Sequence, residues 1–348
     1  MKLMAQASWK KDEPLALVEL PTPEPRADEV RVAVQAIGVN PVDWKMREKG
    51  PLRLAARLIG APPPVVVGVD FAGVVDAVGA RVLGVHVGDR VVGGTDFSRR
   101  QRGSYADTVF VRADQVWTLP HDFDIDVAGA LPVAGVTAWM SVVELGRLVA
   151  GQRALILGAS GGVGQLALQI AKHVQDGFVV AVCSAKNAAL VRDLGADVVL
   201  DYGAGDALVQ AKAHGPYQVV VDCVGSYAGS GCRALLGPGG RHVIVSGDSI
   251  GAAIQPLIPP FTSKAVLGRP NRTRLAAVVG AVAAGQVRVN VEHRFALADA
   301  EKAHALSKTG RVTGKIILQP QAHGGELSLG PPPRSADDLG VPGTRSGS

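Results

Sequence analysis

Residues 155–173 read LILGASGGVGQLALQIAKH, and this stretch decides the fold of the chain. A short apolar run leads into a cluster of glycines and then into a helical pattern, which is the order of a strand, a tight turn and a helix. The amide groups at the start of such a helix, together with the helix dipole, favour a phosphate group. The stretch therefore predicts a turn that binds a phosphate compound.

The glycines of this turn match a dinucleotide-binding pattern with one change. Against GxGxxG the chain has Ala159, Gly161 and Gly164, so alanine replaces the first glycine, while Gly158 and Gly162 add backbone freedom. Such turns also occur where a helix only packs close to a strand, so the motif alone is weak. Because it lies within a series of strand–helix units, we interpret it as a dinucleotide site.

The rest of this region alternates apolar runs with helical patterns. The runs are RALILG, FVVAVC, DVVLD, YQVVVDC and RHVIVSG, and the segments between them include NAALVRDLG, DALVQAKAH and SGCRALLG. Nearly continuous hydrophobic strands are typical of a parallel sheet covered by helices on both faces. The order therefore predicts an α/β fold with a doubly wound parallel sheet.

The two ends of the chain follow other patterns. In the first part, EVRVAVQAIGVN alternates with period two, and short valine-rich runs separated by glycines follow it, which predicts a compact all-β region. Near the end, LADAEKAHALSKTG predicts a helix, and GKIILQ predicts a strand that rejoins one of the two sheets. Residues 321–348 are rich in Gly, Pro and Ser without aromatic residues, which predicts a disordered tail.

Composition narrows the function classes. A chain of 348 residues with 47% hydrophobic residues is long enough for two domains. The net charge of +5 is spread along the chain, and its densest cluster, SRRQRG at residues 98–103, is interpreted as a solvated loop and not as a nucleic-acid site. That loop would attract an anionic substrate if it rims a cleft.

Cysteine content and hydropathy indicate the compartment. Three cysteines without CxxC spacing argue against a disulfide framework and fit a reducing compartment. The N-terminus lacks the apolar run of a signal peptide, and the long uncharged run 127–143 is interrupted by Pro132 and two glycines. We therefore expect a cytoplasmic protein without a membrane span.

The residues after the second and third strands of the parallel sheet indicate the cofactor. Ser184 and Lys186 follow the run FVVAVC, where a carboxylate that binds the ribose of NAD would otherwise be expected. Tyr202 follows the next run and is placed to pack on the adenine or to bond the same phosphate. A plain polar turn is the alternative. We favour NADPH, because a cation and a hydroxyl are available for its 2′-phosphate.

Eight motifs along the chain carry a resemblance to a known family. They are GVNPVDWKMR, GVDFAGVVDAVG, VGDRVVG, GSYADTVFV, LPVAGVTAW, GASGGVG, CSAKNAALVRDLGADVVLDY and GRVTGKIIL. Through them, residues 15–319 resemble the zinc-independent, quinone-oxidoreductase-like branch of the medium-chain dehydrogenase/reductase superfamily. The resemblance implies a GroES-like β domain (1–124 and 290–320), a Rossmann domain (125–289) and an active site in the cleft between them. It also implies a homodimer, since this family commonly forms dimers.

The resemblance further implies which residues bind the cofactor. The positions at the pyrophosphate are matched by Ser160, Gly162 and Val163. The positions at the adenosine 2′-phosphate are matched by Ser184, Lys186 and Tyr202. The positions near the nicotinamide half are matched by Thr137, Val224 and Ser246, and a family lysine near the cofactor is matched by Lys315.

The candidate catalytic residues are Asn40 and Asp43. Asn40 takes the place where zinc-dependent relatives have a catalytic cysteine, and Asp43 lies beside it in GVNPVDWK. A structural hydrogen bond within the loop is the alternative for Asp43. Many family reductases carry a tyrosine proton donor shortly after this motif, but KMREKGPLRLAARLIG contains none and reads as a basic helix.

Three functions remain open, and we favour the first. It is NADPH-dependent, zinc-independent reduction of a small molecule, either a quinone or an activated C=C bond. The second is a zinc alcohol dehydrogenase, which needs a set of Cys and His ligands; all three cysteines follow residue 180 and GVD stands where a His-Glu pair would be, so we expect no metal site. The third is an NADPH-binding sensor or scaffold with little turnover.

Overall fold

The computed structural model of the protein describes residues 1–10, 13–48, 51–245 and 254–320. Within these ranges the chain builds one sheet of three strands, one of seven strands and a parallel sheet of six strands. The predicted fold class, a GroES-like β region together with a Rossmann-type parallel sheet, is confirmed. The predicted disordered tail lies outside the described residues.

The first 118 residues form the β region. Its strands are β1 (Lys2–Gln6), β2 (Ala16–Glu19), β3 (Glu29–Val39), β4 (Val65–Val66), β5 (Asp70–Val78), β6 (Arg90–Gly94), β7 (Thr108–Arg112) and β8 (Val116–Thr118). Strands β2, β1 and β4 form the small antiparallel sheet. The alternating run EVRVAVQAIGVN becomes β3, which pairs with β5 and β7 and places its alternate valines in the core.

The parallel sheet follows the predicted apolar runs. Its strands are β9 (Arg153–Leu157), β10 (Phe178–Cys183), β11 (Val198–Asp201), β12 (Tyr217–Asp222), β13 (Leu236–Ile244) and β14 (Ser263–Ala265). They lie in the order β11-β10-β9-β12-β13-β14, so the order reverses between β9 and β12. Ligands of doubly wound sheets bind at the carboxyl ends of the strands at such a reversal.

Helices cover both faces of the parallel sheet and one end of the β region. They are α1 (Pro41–Lys45), α2 (Pro51–Ile59), α3 (Ile125–Ala130), α4 (Pro132–Trp139), α5 (Gly162–Gln169), α6 (Ala188–Asp193), α7 (Ala207–Lys212), α8 (Gly229–Ala234), α9 (Arg272–Ala283) and α10 (Ala300–Lys308). Within the basic segment that lacks the family tyrosine, α2 covers Pro51–Ile59, as the helical pattern predicts, and α1 ends at the segment's first residue, Lys45. Among the described helices, each is too short or too polar to cross a lipid bilayer.

The last strands join the β region to the glycine-rich turn. Strands β15 (Val291–Ala296) and β16 (Lys315–Gln319) are parallel neighbours, and β16 pairs antiparallel with β3, with Ile316 opposite Val39. The prediction that the last strand rejoins a sheet is therefore confirmed. Just before β16, Gly314 forms a bridge with Gly161 of the glycine-rich turn. One short segment of chain thus contacts both sheets.

A chain that ends at Pro320 is expected to keep the melting temperature and the cofactor affinity of the full protein. Residues 321–348 lack the apolar content that would let them join a core. Differential scanning calorimetry and cofactor titration of the truncated and full chains check this. A fall of several degrees in the melting temperature would show that the tail docks on the fold.

Candidate active site

The glycine-rich turn is shaped to hold a pyrophosphate. A Cβ on Gly164 would lie 2.1 Å from the carbonyl oxygen of Gly158, so only glycine lets α5 begin this close to β9, and Gly158 itself has a φ of +77°. A Cβ on Gly161, in contrast, would meet only one atom, at 3.5 Å, so space remains above it. The first backbone amides of α5 lie next to this space, and the first amides of a helix have no partner within the helix. The turn therefore fits the phosphates of a dinucleotide.

The residues predicted to bind the adenosine end lie where β10 and β11 stop. Cys183 and Asp201 are paired neighbours in these strands, so Ser184 and Tyr202 emerge side by side. Lys186 is exposed, and Tyr202 is 57% exposed. Both side chains are therefore accessible to a ligand at this edge of the sheet.

One residue at this end was not anticipated from the sequence. Oδ1 of Asp201 accepts hydrogen bonds from the backbone amides of Ala185 at 3.1 Å and Gly203 at 2.9 Å. The carboxylate thus shapes the two loops that carry Ser184 and Tyr202. Its signal in the sequence is the carboxylate that ends the run DVVLD.

The predicted nicotinamide residues differ in exposure. Val224 is half exposed and lies against the glycine-rich turn, because a Cβ on Gly158 would come within 2.8 Å of its methyl group. Asp222 shapes this loop by accepting hydrogen bonds from the amides of Val224 and Gly225. Thr137, by contrast, is buried in α4. Ser246 lies outside the described residues.

The remaining residues predicted to bind the pyrophosphate surround the start of α5. Ser160 and Val163 are partly exposed, and the carbonyl of Ser160 accepts a hydrogen bond from the side chain of Gln165 at 2.8 Å. A Cβ on Gly162 would lie 3.0 Å from the side chain of Lys315. The glycine-rich turn and Lys315 are therefore in direct contact.

Lys315 connects this turn to Asn40. Its Nζ donates to Oδ1 of Asn40 at 2.5 Å and to the carbonyl of Val39 at 3.2 Å, and it lies 3.7 Å from Oδ2 of Asp70. Asn40 in turn donates through Nδ2 to Oδ2 of Asp70 at 2.8 Å and to the carbonyl of Gly38 at 3.3 Å. Both amide hydrogens of Asn40 are thus used within the protein.

Asp70 completes this buried group and was not singled out from the sequence. Its Oδ1 accepts a hydrogen bond from the backbone amide of Val133 at 2.8 Å, so it also holds the start of α4. Burial raises the pKa of Asp70 and lowers that of Lys315, while the attraction between the two charges opposes both shifts. The ammonium group of Lys315 thus lies beside the glycine-rich turn, with the carboxylate of Asp70 3.7 Å away.

Asp43 forms the structural hydrogen bond that was its alternative interpretation. Its Oδ2 accepts from the backbone amide of Asn40 at 2.8 Å, which makes Asp43 part of the N-terminal cap of α1. The same oxygen accepts from the hydroxyl of Tyr105 at 3.2 Å. Asp43 is completely buried. It therefore holds the Asn40 loop in place and does not face a substrate in this conformation.

A chain of hydrogen bonds runs from Asp43 to the surface. Tyr105 Oη lies 2.9 Å from Nε2 of His304, and Nδ1 of His304 lies 2.8 Å from Nη1 of Arg47. Arginine can only donate, so Nδ1 accepts, Nε2 carries the proton of the neutral ring, and the tyrosine hydroxyl is left to donate to Asp43. Arg47 ends the chain in an ion pair with Glu301 at 2.5 Å.

Burial shifts the pKa values of the side chains along this series of hydrogen bonds. Burial lowers the pKa of His304 to about 3, with a further contribution from Arg47, so the ring is neutral, as the hydrogen-bond directions demand. Burial also raises the pKa of Tyr105 well above its usual value and that of Asp43 from 3.8 to about 8. Near neutral pH, Asp43 is therefore held largely in its protonated form.

The Asp43→Asn variant is expected to lose less stability at alkaline pH than the wild type. Because the pKa of Asp43 is raised in the folded state, folding favours the protonated carboxyl group. The free energy of unfolding therefore falls as pH rises from about 4 to about 8, by up to about 1.4 kcal/mol per pH unit. Asparagine keeps an oxygen for both hydrogen bonds and carries no charge. Urea unfolding at pH 6 to 9 measures the difference.

Asp122→Asn is the matched control for this measurement, since Asp122 is exposed on the loop before α3. The control is expected to follow the wild type at every pH. Parallel curves for the wild type and Asp43→Asn would contradict the raised pKa.

Two family models match the chain. The alcohol dehydrogenase GroES-like domain matches residues 26–121, which lie in the β region. The zinc-binding dehydrogenase model matches residues 194–318, which run from β11 to β16. Together the two models cover parts of both sheets that meet at Lys315.

Individual proteins extend this similarity over most of the chain. The chloroplast envelope quinone oxidoreductase homolog of Arabidopsis thaliana is 32% identical over 319 residues, covering 87% of this chain and 93% of the relative. The 2-methylene-furan-3-one reductase of Solanum lycopersicum is 30% identical, covering 86% and 73%. The structure of the quinone oxidoreductase from Coxiella burnetii has a TM-score of 0.83 at 28% identity, covering 92% and 99%.

Proposed function

The chain belongs to the medium-chain dehydrogenase/reductase superfamily, as a quinone-oxidoreductase-like member, and from this premise we propose that it reduces quinones or activated C=C bonds with NADPH and without a metal ion. It is an oxidoreductase that uses a nicotinamide cofactor. The observation that carries the proposal is the contact of the glycine-rich turn with Lys315, which is bound to Asn40.

The cofactor site is built from the residues around the turn. The amides at the start of α5, with Ser160 and Val163 beside them, hold the pyrophosphate, and Val224 borders the nicotinamide end. Ser184, Lys186 and Tyr202 receive the adenosine 2′-phosphate. When bound, the cofactor supplies the hydride. The protein contributes the position and the electrostatic environment of the reacting groups.

Lys315 supports the proposal that no metal ion takes part in turnover. Asn40 and Asp70 stand where zinc-dependent relatives have ligands, and here their side-chain oxygens contact the ammonium group of Lys315. Zinc prefers thiolate, imidazole and carboxylate ligands. An amide, one carboxylate and a bound ammonium group do not offer that set, so the local positive charge comes from lysine.

A small pocket with mainly apolar walls lies close to the start of β5. It lies next to the end of α1 and the segment that leads into β5. Its lining is mainly apolar and includes Trp9, Met46, Val65, Val67, Val69 and Phe97. Apolar walls of this kind offer few hydrogen-bond partners to a hydrated sugar or a charged metabolite. The names of two relatives, a quinone oxidoreductase homolog and a 2-methylene-furan-3-one reductase, point to the proposed substrate classes.

Asn40 and Asp43 are assigned as positioning residues in this proposal. The amide hydrogens of Asn40 are bound to Asp70 and Gly38, and Asp43 is enclosed, so neither offers a proton directly to a substrate. Their part is to hold Lys315 and the loop between β3 and α1 in one geometry. We assign the proton that completes reduction to solvent.

Lys186→Ala is expected to weaken NADPH binding about ten- to a hundredfold and to leave NADH binding unchanged. The side chain provides one charge-assisted contact to the 2′-phosphate, worth roughly 1.5–3 kcal/mol. NADH lacks this phosphate, so the substitution removes none of its contacts. Isothermal titration of both cofactors measures the effect.

Two control variants accompany the titration of Lys186→Ala. Lys186→Arg is expected to retain most of the NADPH affinity, and Lys212→Ala, which removes an exposed lysine at the end of α7, is expected to change neither cofactor. Equal affinity of the wild type for NADH and NADPH would contradict the proposal that Lys186 binds the 2′-phosphate.

A sensor or scaffold with little turnover is the second candidate, because the segment 46–60 lacks the tyrosine of other reductases. Consumption of NADPH with a generic quinone separates the two candidates. We also propose the domain division 1–124 with 290–320 against 125–289. The cytoplasmic location and the homodimer stay predictions.

A further inference from the structure

Three side chains of types that bind zinc meet in the parallel sheet, in a different sheet from Asn40. Asp222 ends β12, His242 lies in β13 and Cys232 lies in α8, and one ligand atom from each lies within 4.8 Å of the other two. Val220 is paired with His242 in the sheet, so His242 and Asp222 share one face. Cys232 packs against the same face from α8.

Burial disfavours the charged form of each side chain in this cluster. All three side chains are at most 2% exposed. Burial raises the pKa of Asp222, raises that of Cys232 to about 12 and lowers that of His242 to about 4, so each charge is disfavoured. A divalent cation reverses this balance, because it stabilises the carboxylate and the thiolate and binds the neutral imidazole.

The hydrogen bonds of His242 indicate which nitrogen faces a ligand. Its Nδ1 lies 3.1 Å from the hydroxyl oxygen of Ser263, whereas its Nε2 is buried without a partner among the described residues. Metal-bound histidines commonly donate their second ring N–H to a neighbouring acceptor, which orients the other nitrogen towards the ion. Ser263 fills that role here. The carboxylate of Asp222 is likewise fixed, through the amides of Val224 and Gly225.

We propose that Asp222, Cys232 and His242 form a structural zinc site. His242 binds through Nε2, Cys232 binds as the thiolate after its proton passes to solvent, and Asp222 binds through a carboxylate oxygen. One further oxygen ligand completes the tetrahedral set that zinc prefers. The site is separate from the ligand positions of zinc alcohol dehydrogenases, which correspond to the surroundings of Asn40 here. Bound zinc braces the loop that carries Val224.

The test is a Co²⁺ titration of the metal-stripped full-length protein. Co²⁺ occupies zinc sites, and a thiolate ligand gives an intense near-ultraviolet charge-transfer absorption that nitrogen and oxygen ligands do not give. We expect one equivalent to bind with this absorption and the melting temperature to rise as Co²⁺ or Zn²⁺ saturates the site. Binding without the thiolate absorption, or no binding at one equivalent, would overturn the proposal.

Variants identify the ligands. Cys232→Ala is expected to remove the thiolate absorption and to weaken binding by more than about a hundredfold, since outer-shell partners alone change affinity ten- to a hundredfold. His242→Gln is expected to weaken binding as much while leaving the thiol in place, and it decides the question if circular dichroism shows that Cys232→Ala does not fold.

The matched control is Cys183→Ala, which removes an equally buried thiol at the end of β10. It is expected to bind Co²⁺ as the wild type does. A thiolate absorption that persists in Cys232→Ala, or that is lost in Cys183→Ala, would contradict the assignment.

Discussion

Replacing Lys315 with methionine is expected to destabilise the protein by about 3–5 kcal/mol and to lower kcat by at least about a hundredfold. The ammonium group is buried, donates to Asn40 and Val39, and lies 3.7 Å from the carboxylate of Asp70. Removing it leaves an enclosed carboxylate without its cation, and an unpaired buried charge strongly destabilises the folded state. It also removes the fixed positive charge beside the glycine-rich turn.

A double variant separates the two effects. Lys315→Met combined with Asp70→Asn removes both charges, so we expect most of the stability to return while turnover stays low. Lys302→Met, at an exposed position of α10, controls for the loss of a surface lysine and is expected to change neither quantity. Urea unfolding and NADPH consumption are measured on all four proteins.

Either of two results would contradict this account of Lys315. A single variant as stable as the wild type would show that the pair does not hold the fold. A double variant with wild-type turnover would show that the charge has no part in the reaction.

The parallel sheet could be predicted because its signals are local. Each of the runs RALILG, FVVAVC, DVVLD, YQVVVDC and RHVIVSG carries its own hydrophobic pattern, and each contains or becomes a strand. The glycine-rich turn is equally local, since Gly158 and Gly164 are needed by the geometry of a single strand–helix connection. Patterns of this kind need no knowledge of distant residues.

The buried polar groups could be predicted only in part. Asn40, Asp43 and Lys315 were singled out, but the partner Asp70 was not, because that pair exists only once β16 lies against β3. Tyr105 is buried, and its hydroxyl is bonded to Asp43. Its partner His304 lies 199 residues away in sequence, and no local pattern joins them.

The cluster of Asp222, Cys232 and His242 was missed for a related reason. Metal sites are found in sequences through short spacings such as CxxC, and here the three ligands come from two strands and a helix. A signal was present in the run RHVIVSG, where a histidine stands inside an otherwise apolar strand of a sheet covered on both faces. Such a residue needs a partner in the fold.

The central prediction concerns the hydride acceptor, because the proposed reduction without a metal ion favours conjugated acceptors over plain ketones. Hydride added to a plain ketone places a full negative charge on one oxygen, which zinc stabilises by several kcal/mol in zinc-dependent relatives. In a quinone or an α,β-unsaturated carbonyl, hydride goes to one end of the conjugated system and the charge spreads to a distant oxygen. Hydrogen bonds and water then suffice. The enzyme mainly has to hold two flat groups face to face.

We therefore predict a large difference in turnover between conjugated acceptors and simple alcohols. Quinones and enones should be reduced at the expense of NADPH, whereas ethanol and benzyl alcohol should be oxidised very slowly or not at all. The two classes differ in the charge that a single oxygen must carry in the transition state. Because about 4 kcal/mol corresponds to a factor of a thousand in rate, we expect a difference of about a thousandfold in kcat/KM.

The most direct test of the account is the rate of NADPH consumption with a quinone and with an enone, before and after treatment with EDTA, alongside alcohol oxidation. The melting temperature is recorded in parallel, so that any effect on the Asp222 cluster is seen separately. We expect kcat/KM for the conjugated acceptors to stay within about twofold after EDTA. Activity abolished by EDTA and restored by zinc at an unchanged melting temperature, or efficient alcohol oxidation without quinone or enone turnover, would contradict the account.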